Sequence, residues 1–123
     1  MSGDSIIVDT NIVLYLLNGD KTLATLLNER NIYISFITEL ELLGYPGLSL
    51  KDKSQITSFL AVCQIIDITS KIKENAILLR NTYNLKLPDS IIGATSLFLG
   101  IPFITSDKVF SKVKELNLIL YEK

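Results

Sequence analysis

Short apolar segments alternate along this chain with longer segments of helical periodicity, and this alternation limits the possible folds more than any other feature. The segment from Ser5 to Val8 is predicted to be a parallel strand that is covered on both faces. Further strand-like segments are "IYIS", "QIIDIT", "PFIT" and "LILY". The sequence therefore predicts an α/β fold of three layers, α/β/α, with a mainly parallel central sheet.

Glycine, proline and capping residues mark the ends of the helical segments between these strands. The helix "NIVLYLLNG" should end at Gly19, "KTLATLLNER" should form the next helix, and "TELELLGY" should stop at Gly44 and Pro46. The letters "SLKD" from Ser49 predict a capping box that opens a helix to about Val62. The segment "PDSIIGATSLFLG" is apolar almost all round, which predicts a buried central helix. One face of the helix before it carries Ile72, Ala76, Leu79 and Tyr83.

The length and apolar content of the chain bound its organisation. A chain of 123 residues fits one domain, residues 1–123, with a sizeable core, and its 48% of hydrophobic residues suggests apolar surface reserved for a partner. The longest apolar tract, Ile91 to Ile104, is interrupted by Gly100 and Pro102 and is shorter than the ~20 residues of a membrane span. The first residues, "MSGDS", do not resemble a secretory signal. We expect a cytoplasmic protein that does not span a membrane.

The missing residue types exclude several kinds of site. The sequence contains no histidine, which excludes histidine-containing catalytic triads and histidine-ligated zinc. The single cysteine, Cys63, cannot form an internal disulfide and is predicted to be a small core residue. A net charge of −1 means that nucleic acid would need a local basic patch. Any catalysis must therefore use carboxylates, hydroxyls, amides or lysines.

Acidic residues follow several of the predicted strands. Asp9 closes the first strand, Asp107 follows "PFITS", and Asp89 opens the buried helix. Glu39 and Glu41 lie in the helix after "IYIS", and helical periodicity does not decide between them. Each aspartate alone could simply cap a helix, but carboxylates that converge at one sheet edge repel each other unless a divalent cation is present. An oxygen-only ligand set suits Mg²⁺ or Mn²⁺.

Four motifs in order give the chain a resemblance to a known family. They are "VDTN", "TELELLG" with its Thr-x-x-Glu-Leu spacing, "LPDSIIGATSL" and "ITSDKVF". In order, spacing and total length they resemble the motifs of the PIN domain, and most of all the VapC-type toxin ribonucleases of prokaryotic toxin–antitoxin pairs. Gly93 stands where the family more often has alanine, which predicts a helix weakened by roughly 1 kcal/mol, and "FIT" replaces the family's "LVT".

The resemblance implies a Mg²⁺- or Mn²⁺-dependent endoribonuclease. Its catalytic and metal-binding residues would be Asp9, Glu41, Asp89 and Asp107, so that the family spacing selects Glu41 over Glu39. Asn11 and Thr105 would orient ligands or water from outside the ligand set. The expected products carry 5′-phosphate and 3′-hydroxyl ends. The expected partners are an RNA substrate, a small antitoxin protein and a second copy of the chain in a homodimer.

Positively charged residues near these motifs are candidates for RNA contact. They are Arg80, Lys86, Lys108, Lys112 and Lys114. Asp67 also follows a strand but matches no motif, so we interpret it as structural.

Two other functions are compatible with parts of the pattern. A PIN-like domain could bind RNA or protein without cleaving, although all four acids are present. A phosphoacceptor receiver domain would use Asp67 as its acceptor, but it would need paired acids after the first strand and a Lys-Pro step, and this chain has neither.

Overall fold

A single five-stranded sheet forms the centre of the computed structural model, which describes residues 4–123. The strands are β1 (Ser5–Val8), β2 (Asn31–Ser35), β3 (Gln64–Ile66), β4 (Phe103–Thr105) and β5 (Leu118–Leu120). Their order across the sheet is β3-β2-β1-β4-β5, and each neighbouring pair is parallel. The predicted α/β fold is confirmed.

Six α-helices and one 3₁₀ helix connect the strands. They are α1 (Thr10–Leu17), α2 (Lys21–Leu27), α3 (Phe36–Leu43), α4 (Leu50–Ala61), α5 (Ser70–Tyr83), α6 (Leu87–Leu99) and the 3₁₀ helix Lys108–Lys112. The capping box at the start of α4 is present, because the Asp52 N–H donates to Ser49 Oγ at 3.0 Å and the Ser49 N–H donates to Asp52 Oδ2 at 3.3 Å. Among residues 4–123, no helix is both long and apolar enough to cross a bilayer.

Several element boundaries differ from the sequence prediction, and two of these differences have a local cause. Helix α3 begins at Phe36, before the predicted "TELELLGY" segment, because the Ser35 hydroxyl accepts the Ile37 N–H at 3.1 Å and caps the helix there. Strand β3 ends at Ile66 although "QIIDIT" reads as strand-like throughout. The Asp67 carboxylate accepts the Ile68 N–H at 2.8 Å, so a local hydrogen bond satisfies this N–H beyond the end of the strand.

Helices cover both faces of the sheet and give two hydrophobic clusters. On β1, Ile7 belongs to one cluster whereas Ile6 and Val8 belong to the other, as the alternation of side chains along a strand requires. The first cluster includes buried residues of α5 and α6, and the second includes buried residues of α1, α2, α3 and α4. Cys63 packs half-buried against the second cluster, and burial raises the pKa of its thiol to about 11. The three predicted layers are present.

Helix α6 is buried in its middle and exposed near its ends. Residues 90–96 are buried, but Leu87 is 56% exposed and Phe98 is 45% exposed, so the helix is not covered over its whole length. At Gly93 an added Cβ would lie 3.2 Å from Leu79 Cδ1 of α5. The glycine therefore allows a close approach of the two helices, which the sequence prediction of a weakened helix did not include.

The order of the strands creates a crevice at one edge of the sheet. From β1 the chain moves to β2 and β3 on one side, and it then crosses to β4 and β5 on the other side. Ligands of open parallel sheets bind where this direction changes, beyond the carboxyl ends of the strands. The residues that directly follow β1 and β4 therefore lie where a site is expected.

Candidate functional site

A cavity of about 370 Å³ lies beyond the carboxyl ends of β1 and β4, and all four predicted acids line it. Asp9 follows β1, Glu41 lies on α3, Asp89 lies in the first turn of α6, and Asp107 precedes the 3₁₀ helix. The structure thus brings together carboxylates from four separate segments of the chain. The remaining lining residues are Thr10, Asn11, Leu14, Gly44, Tyr45, Pro46 and Ile92.

Asp9 is the most enclosed of these acids, with 6% of its surface exposed. Its Oδ1 accepts the Thr10 N–H at 2.7 Å, which caps α1, and its Oδ2 accepts the hydroxyl of Thr105 at 2.6 Å. The pKa of the Asp9 carboxyl is raised to about 6, mainly because the group is buried. The two hydrogen bonds lower this pKa, whereas the charges of Asp89 and Asp107 raise it. Asp9 is thus held in an environment that disfavours its own negative charge.

Asp107 and Asp89 reach the cavity from the segment after β4 and from α6. The Asp107 carboxylate accepts the Val109 N–H at 3.0 Å, and the Asp107 N–H donates to Thr105 Oγ1 at 3.0 Å. Asp89 is the third residue of α6, and the capping position of that helix is Lys86, whose side chain makes no capping hydrogen bond. Burial raises the pKa of Asp89, the nearby charge of Asp107 raises it further, and that of Lys86 opposes the rise.

Glu41 lines the cavity and is held by a hydrogen bond between helices α1 and α3. The hydroxyl of Thr10 donates to Glu41 Oε1 at 2.6 Å, and it lies 3.1 Å from the hydroxyl of the buried Thr38. Glu39 does not line the cavity. Helical periodicity did not decide which of the two glutamates faces the other acids, and the structure shows that it is Glu41. Thr10 is therefore in place to orient the Glu41 carboxylate.

The acids fit a divalent cation in the chemistry of their ligand atoms, but they do not form a preformed cage. Their ligand atoms are all oxygens, as Mg²⁺ and Mn²⁺ prefer. Burial is the main cause of the raised pKa values of Asp9 and Asp89, and the charges of neighbouring acids raise both further. Within residues 4–123, however, no three Asp, Glu or Cys side chains are grouped so that they could hold one ion together.

Sequence reasoning placed two residues around the acids and overlooked two others. Thr105 is fully buried and joins Asp9 to Asp107, and Asn11 is exposed on the cavity wall. Thr10 and Tyr45 also line the cavity but were not selected. Thr10 adjoins Asp9 within "VDTN", so that motif could have indicated it. Tyr45 lies beyond the end of α3, and no spacing in the sequence indicated it.

The residues proposed to contact RNA lie outside the cavity lining. All five, Arg80, Lys86, Lys108, Lys112 and Lys114, are exposed. Lys86 is close enough to Asp89 to lower its pKa, and Lys108 directly follows Asp107. Asp67 is exposed beyond β3 and does not line the cavity, as its structural interpretation predicts.

A second, more apolar groove of about 230 Å³ adjoins the acidic cavity. Helices α1, α3 and α4 contribute to it, and Leu14 and Tyr45 line both the groove and the cavity. The two depressions therefore share part of their lining. The other lining residues of the groove are Leu17, Asn18, Leu42, Leu48, Asp52, Gln55 and Ile56.

Several solved structures share this fold over nearly the whole chain. A chain of a toxin–antitoxin complex from Klebsiella pneumoniae is 29% identical, with a TM-score of 0.82, covering 96% of this chain and 99% of that one. A chain of VapBC2 from Rickettsia felis, bound to a DNA fragment from its promoter, is 21% identical, with the same TM-score and coverage. A chain of VapBC-1 from nontypeable Haemophilus influenzae is 22% identical, with a TM-score of 0.78, covering 94% of this chain and 97% of that one.

Sequence comparison identifies the family directly. No curated protein sequence matches the chain significantly. The sequence profile of the PIN domain matches residues 6–116. This range includes strands β2, β3 and β4, all of β1 except its first residue, and the four acids of the cavity. The chain therefore belongs to the PIN domain family.

Proposed function

We propose that this chain is a Mg²⁺- or Mn²⁺-dependent endoribonuclease and the toxin of a type II toxin–antitoxin pair. The observation that carries the proposal is the cavity in which Asp9, Glu41, Asp89 and Asp107 face one space at the switch point of a parallel sheet. Membership of the PIN domain family and the similarity to chains of toxin–antitoxin complexes support a nuclease toxin.

Six residues in or beside the cavity have a role in this proposal. Asp9, Asp89 and Asp107 hold the ion, and Glu41 completes the ligand set or holds a second ion. When bound, the ion lowers the pKa of a water molecule and offsets the charge that develops on the phosphate oxygens. The buried Thr105 hydroxyl keeps the Asp9 carboxylate oriented, and the Asn11 amide on the cavity wall orients water or substrate.

Lysines beside the acids would position the RNA backbone. The net charge of −1 does not attract RNA, so the attraction has to be local. Lys86 and Lys108 flank Asp89 and Asp107 in sequence and are exposed, which places positive charge next to the acidic cavity. Arg80, Lys112 and Lys114 would extend this contact. We expect hydrolysis to leave 5′-phosphate and 3′-hydroxyl ends, and we expect the protein to act in the cytoplasm.

A digest of RNA with two matched variants tests the activity. The parent should cleave RNA in Mn²⁺ or Mg²⁺, lose cleavage in EDTA and regain it when the metal is restored. The Asp67→Asn variant loses an exposed carboxylate outside the cavity, so it should cleave RNA like the parent. The Asp89→Asn variant loses a carboxylate of the cavity, so it should not cleave RNA. Binding of RNA without cleavage in any metal would favour the silent binding module, and phosphorylation of Asp67 by acetyl phosphate would favour a receiver domain.

An antitoxin would find the apolar groove directly beside the acidic cavity. Because Leu14 and Tyr45 belong to both depressions, a peptide whose apolar side chains fill the groove could place an arginine among the carboxylates. Co-expression with the product of the neighbouring open reading frame should give a stable complex without nuclease activity. A neighbouring product that neither co-purifies nor inhibits would remove this part of the proposal.

Exposed apolar side chains support the proposal of a homodimer. Leu40 is 59% exposed and Leu43 is 40% exposed on α3, and Ile77 and Leu78 are 61% and 57% exposed on α5. Side chains of this kind often become buried between copies of a chain. Light scattering at high micromolar concentration should give the mass of a dimer, and a monomer would contradict it.

A further inference from the structure

Tyr45 is an exposed aromatic residue at the rim shared by the acidic cavity and the apolar groove. It is 56% exposed, whereas the other tyrosines, at positions 15, 33, 83 and 121, are half-buried. It lines the cavity together with Glu41 and lines the groove together with Leu14. An aromatic ring with an open face therefore lies beside the carboxylates that are proposed to hold the metal.

The chain around Tyr45 holds the ring in this place. Helix α3 ends at Leu43, and Gly44 caps it through a 2.8 Å hydrogen bond from its N–H to the Leu40 carbonyl. A Cβ at Gly44 would lie 2.7 Å from that carbonyl oxygen, so no larger residue fits there. Pro46 restricts the backbone after Tyr45, and Gly47 turns it at a φ of +76°. The backbone of residues 44–47 therefore fixes the position of Tyr45 at the end of α3.

The charges of the site show what kind of contact RNA needs there. Four carboxylates repel the phosphates of RNA, and the lysines proposed to attract them lie outside the cavity. Contacts with the uncharged bases would add affinity next to the bond that is cleaved, beyond what the metal ion and the lysines supply. Bases of single-stranded nucleic acid gain such affinity by stacking on exposed aromatic side chains.

We propose that Tyr45 binds an unpaired nucleobase of the RNA substrate by stacking, next to the phosphate that enters the acidic cavity. This inference rests on the proposed function and adds to it a residue that positions the RNA beside the acids. A base within a duplex is already stacked and paired, so it cannot reach the ring without a further loss of free energy. The protein should therefore prefer loops and single strands to stems.

A binding experiment tests the contact without requiring cleavage. A fluorescently labelled single-stranded RNA is titrated with Asp89→Asn protein, in which the proposed cleavage is blocked, and with the same protein carrying Tyr45→Ala or Tyr45→Phe. Tyr45→Ala should raise Kd by roughly 5- to 100-fold, the range expected for the loss of one stacked base, and Tyr45→Phe should restore most of the affinity because it keeps the ring.

Phe98→Ala is the matched control for the loss of an exposed aromatic side chain. Phe98 is 45% exposed on α6, and it lies nine residues, about 13 Å along the helix, from Asp89. It should leave the RNA Kd unchanged. Melting curves of all variants should coincide within a few degrees, since Tyr45 and Phe98 are exposed.

Cleavage of a hairpin RNA in Mn²⁺ gives the second readout. The parent should cut in the loop, and Tyr45→Ala should raise KM more than it lowers kcat and reduce the preference for loop over stem. An unchanged Kd and KM in Tyr45→Ala would overturn the proposal. Tyr45 would then be expected to contact a protein that binds in the groove. A parent that binds RNA through Tyr45 but cleaves nothing would overturn the nuclease function instead.

Discussion

The hydroxyl of Thr105 donates a 2.6 Å hydrogen bond to Oδ2 of Asp9, although 96 residues separate the two in the chain. The same hydroxyl oxygen accepts the N–H of Asp107 at 3.0 Å. One buried side chain at the end of β4 therefore fixes both the acid that follows β1 and the acid that follows β4. The pairing of the two central strands is thereby linked to the geometry of the candidate site.

Removing this hydroxyl should reduce stability even without metal. Thr105→Val keeps the shape of the side chain but leaves the Asp9 carboxylate and the Asp107 N–H without their partner in a buried environment. We expect a loss of about 1–3 kcal/mol in the free energy of unfolding, measured by urea denaturation in EDTA. Thr105→Ser, which keeps the hydroxyl, should lose less. A valine variant as stable as the parent would show that this hydrogen bond does not contribute.

The raised pKa of Asp9 predicts a specific dependence of stability on pH. The pKa is about 6 in the folded protein and 3.8 in the unfolded chain, so the folded state holds a proton that the unfolded state releases between these values. The contribution of Asp9 is fully present below about pH 3.8 and is lost as the pH rises through 6. The shift corresponds to a loss of up to about 3 kcal/mol.

The variant Asp9→Asn isolates this contribution, because asparagine does not titrate. Unfolding of both proteins in EDTA between pH 4 and pH 7.5 should show the variant gaining stability relative to the parent as the pH rises. A constant difference across this range would mean that Asp9 titrates at the same pH in both states.

Much of this architecture follows from local sequence signals, and the exceptions depend on contacts between distant segments. The capping box of Ser49 and Asp52 was predictable because both partners lie within one turn. The position of Asp9 and Asp107 at the cavity was predictable because buried strands are recognisable and their ends meet at one edge. The choice of Glu41 over Glu39 needed either the family spacing or the contact with Thr10, 31 residues away, which local periodicity does not contain.

Gly93→Ala sets two effects of similar size against each other. Alanine favours a helix over glycine by up to about 1 kcal/mol, but its Cβ would lie 3.2 Å from Cδ1 of the buried Leu79. We expect a net change within about 1 kcal/mol of zero. In a Leu79→Val background, where this methyl group is gone, Gly93→Ala should be more favourable than in the parent. An equal effect in both backgrounds, measured by urea denaturation, would show that the contact with Leu79 is not limiting.

Asp89→Asn separates a structural acid from a metal ligand. Asp89 does not occupy the capping position of α6, and its raised pKa reflects burial and the charge of Asp107. In EDTA, removing one of these repelling charges should leave the variant as stable as the parent or more stable, apart from a few tenths of a kcal/mol lost through the helix dipole.

Adding Mn²⁺ should reverse the order of the two proteins. The parent should gain about 2.7 kcal/mol when the ion is present at ~100 times its dissociation constant, and Asp89→Asn should gain much less because one ligand has lost its charge. Cleavage by the variant should fall by orders of magnitude. Asp67→Asn is the control, since its carboxylate lies outside the cavity and asparagine can still accept the Ile68 N–H. If Asp89→Asn is stabilised by Mn²⁺ as much as this control and cleaves RNA at the same rate, Asp89 does not belong to the site.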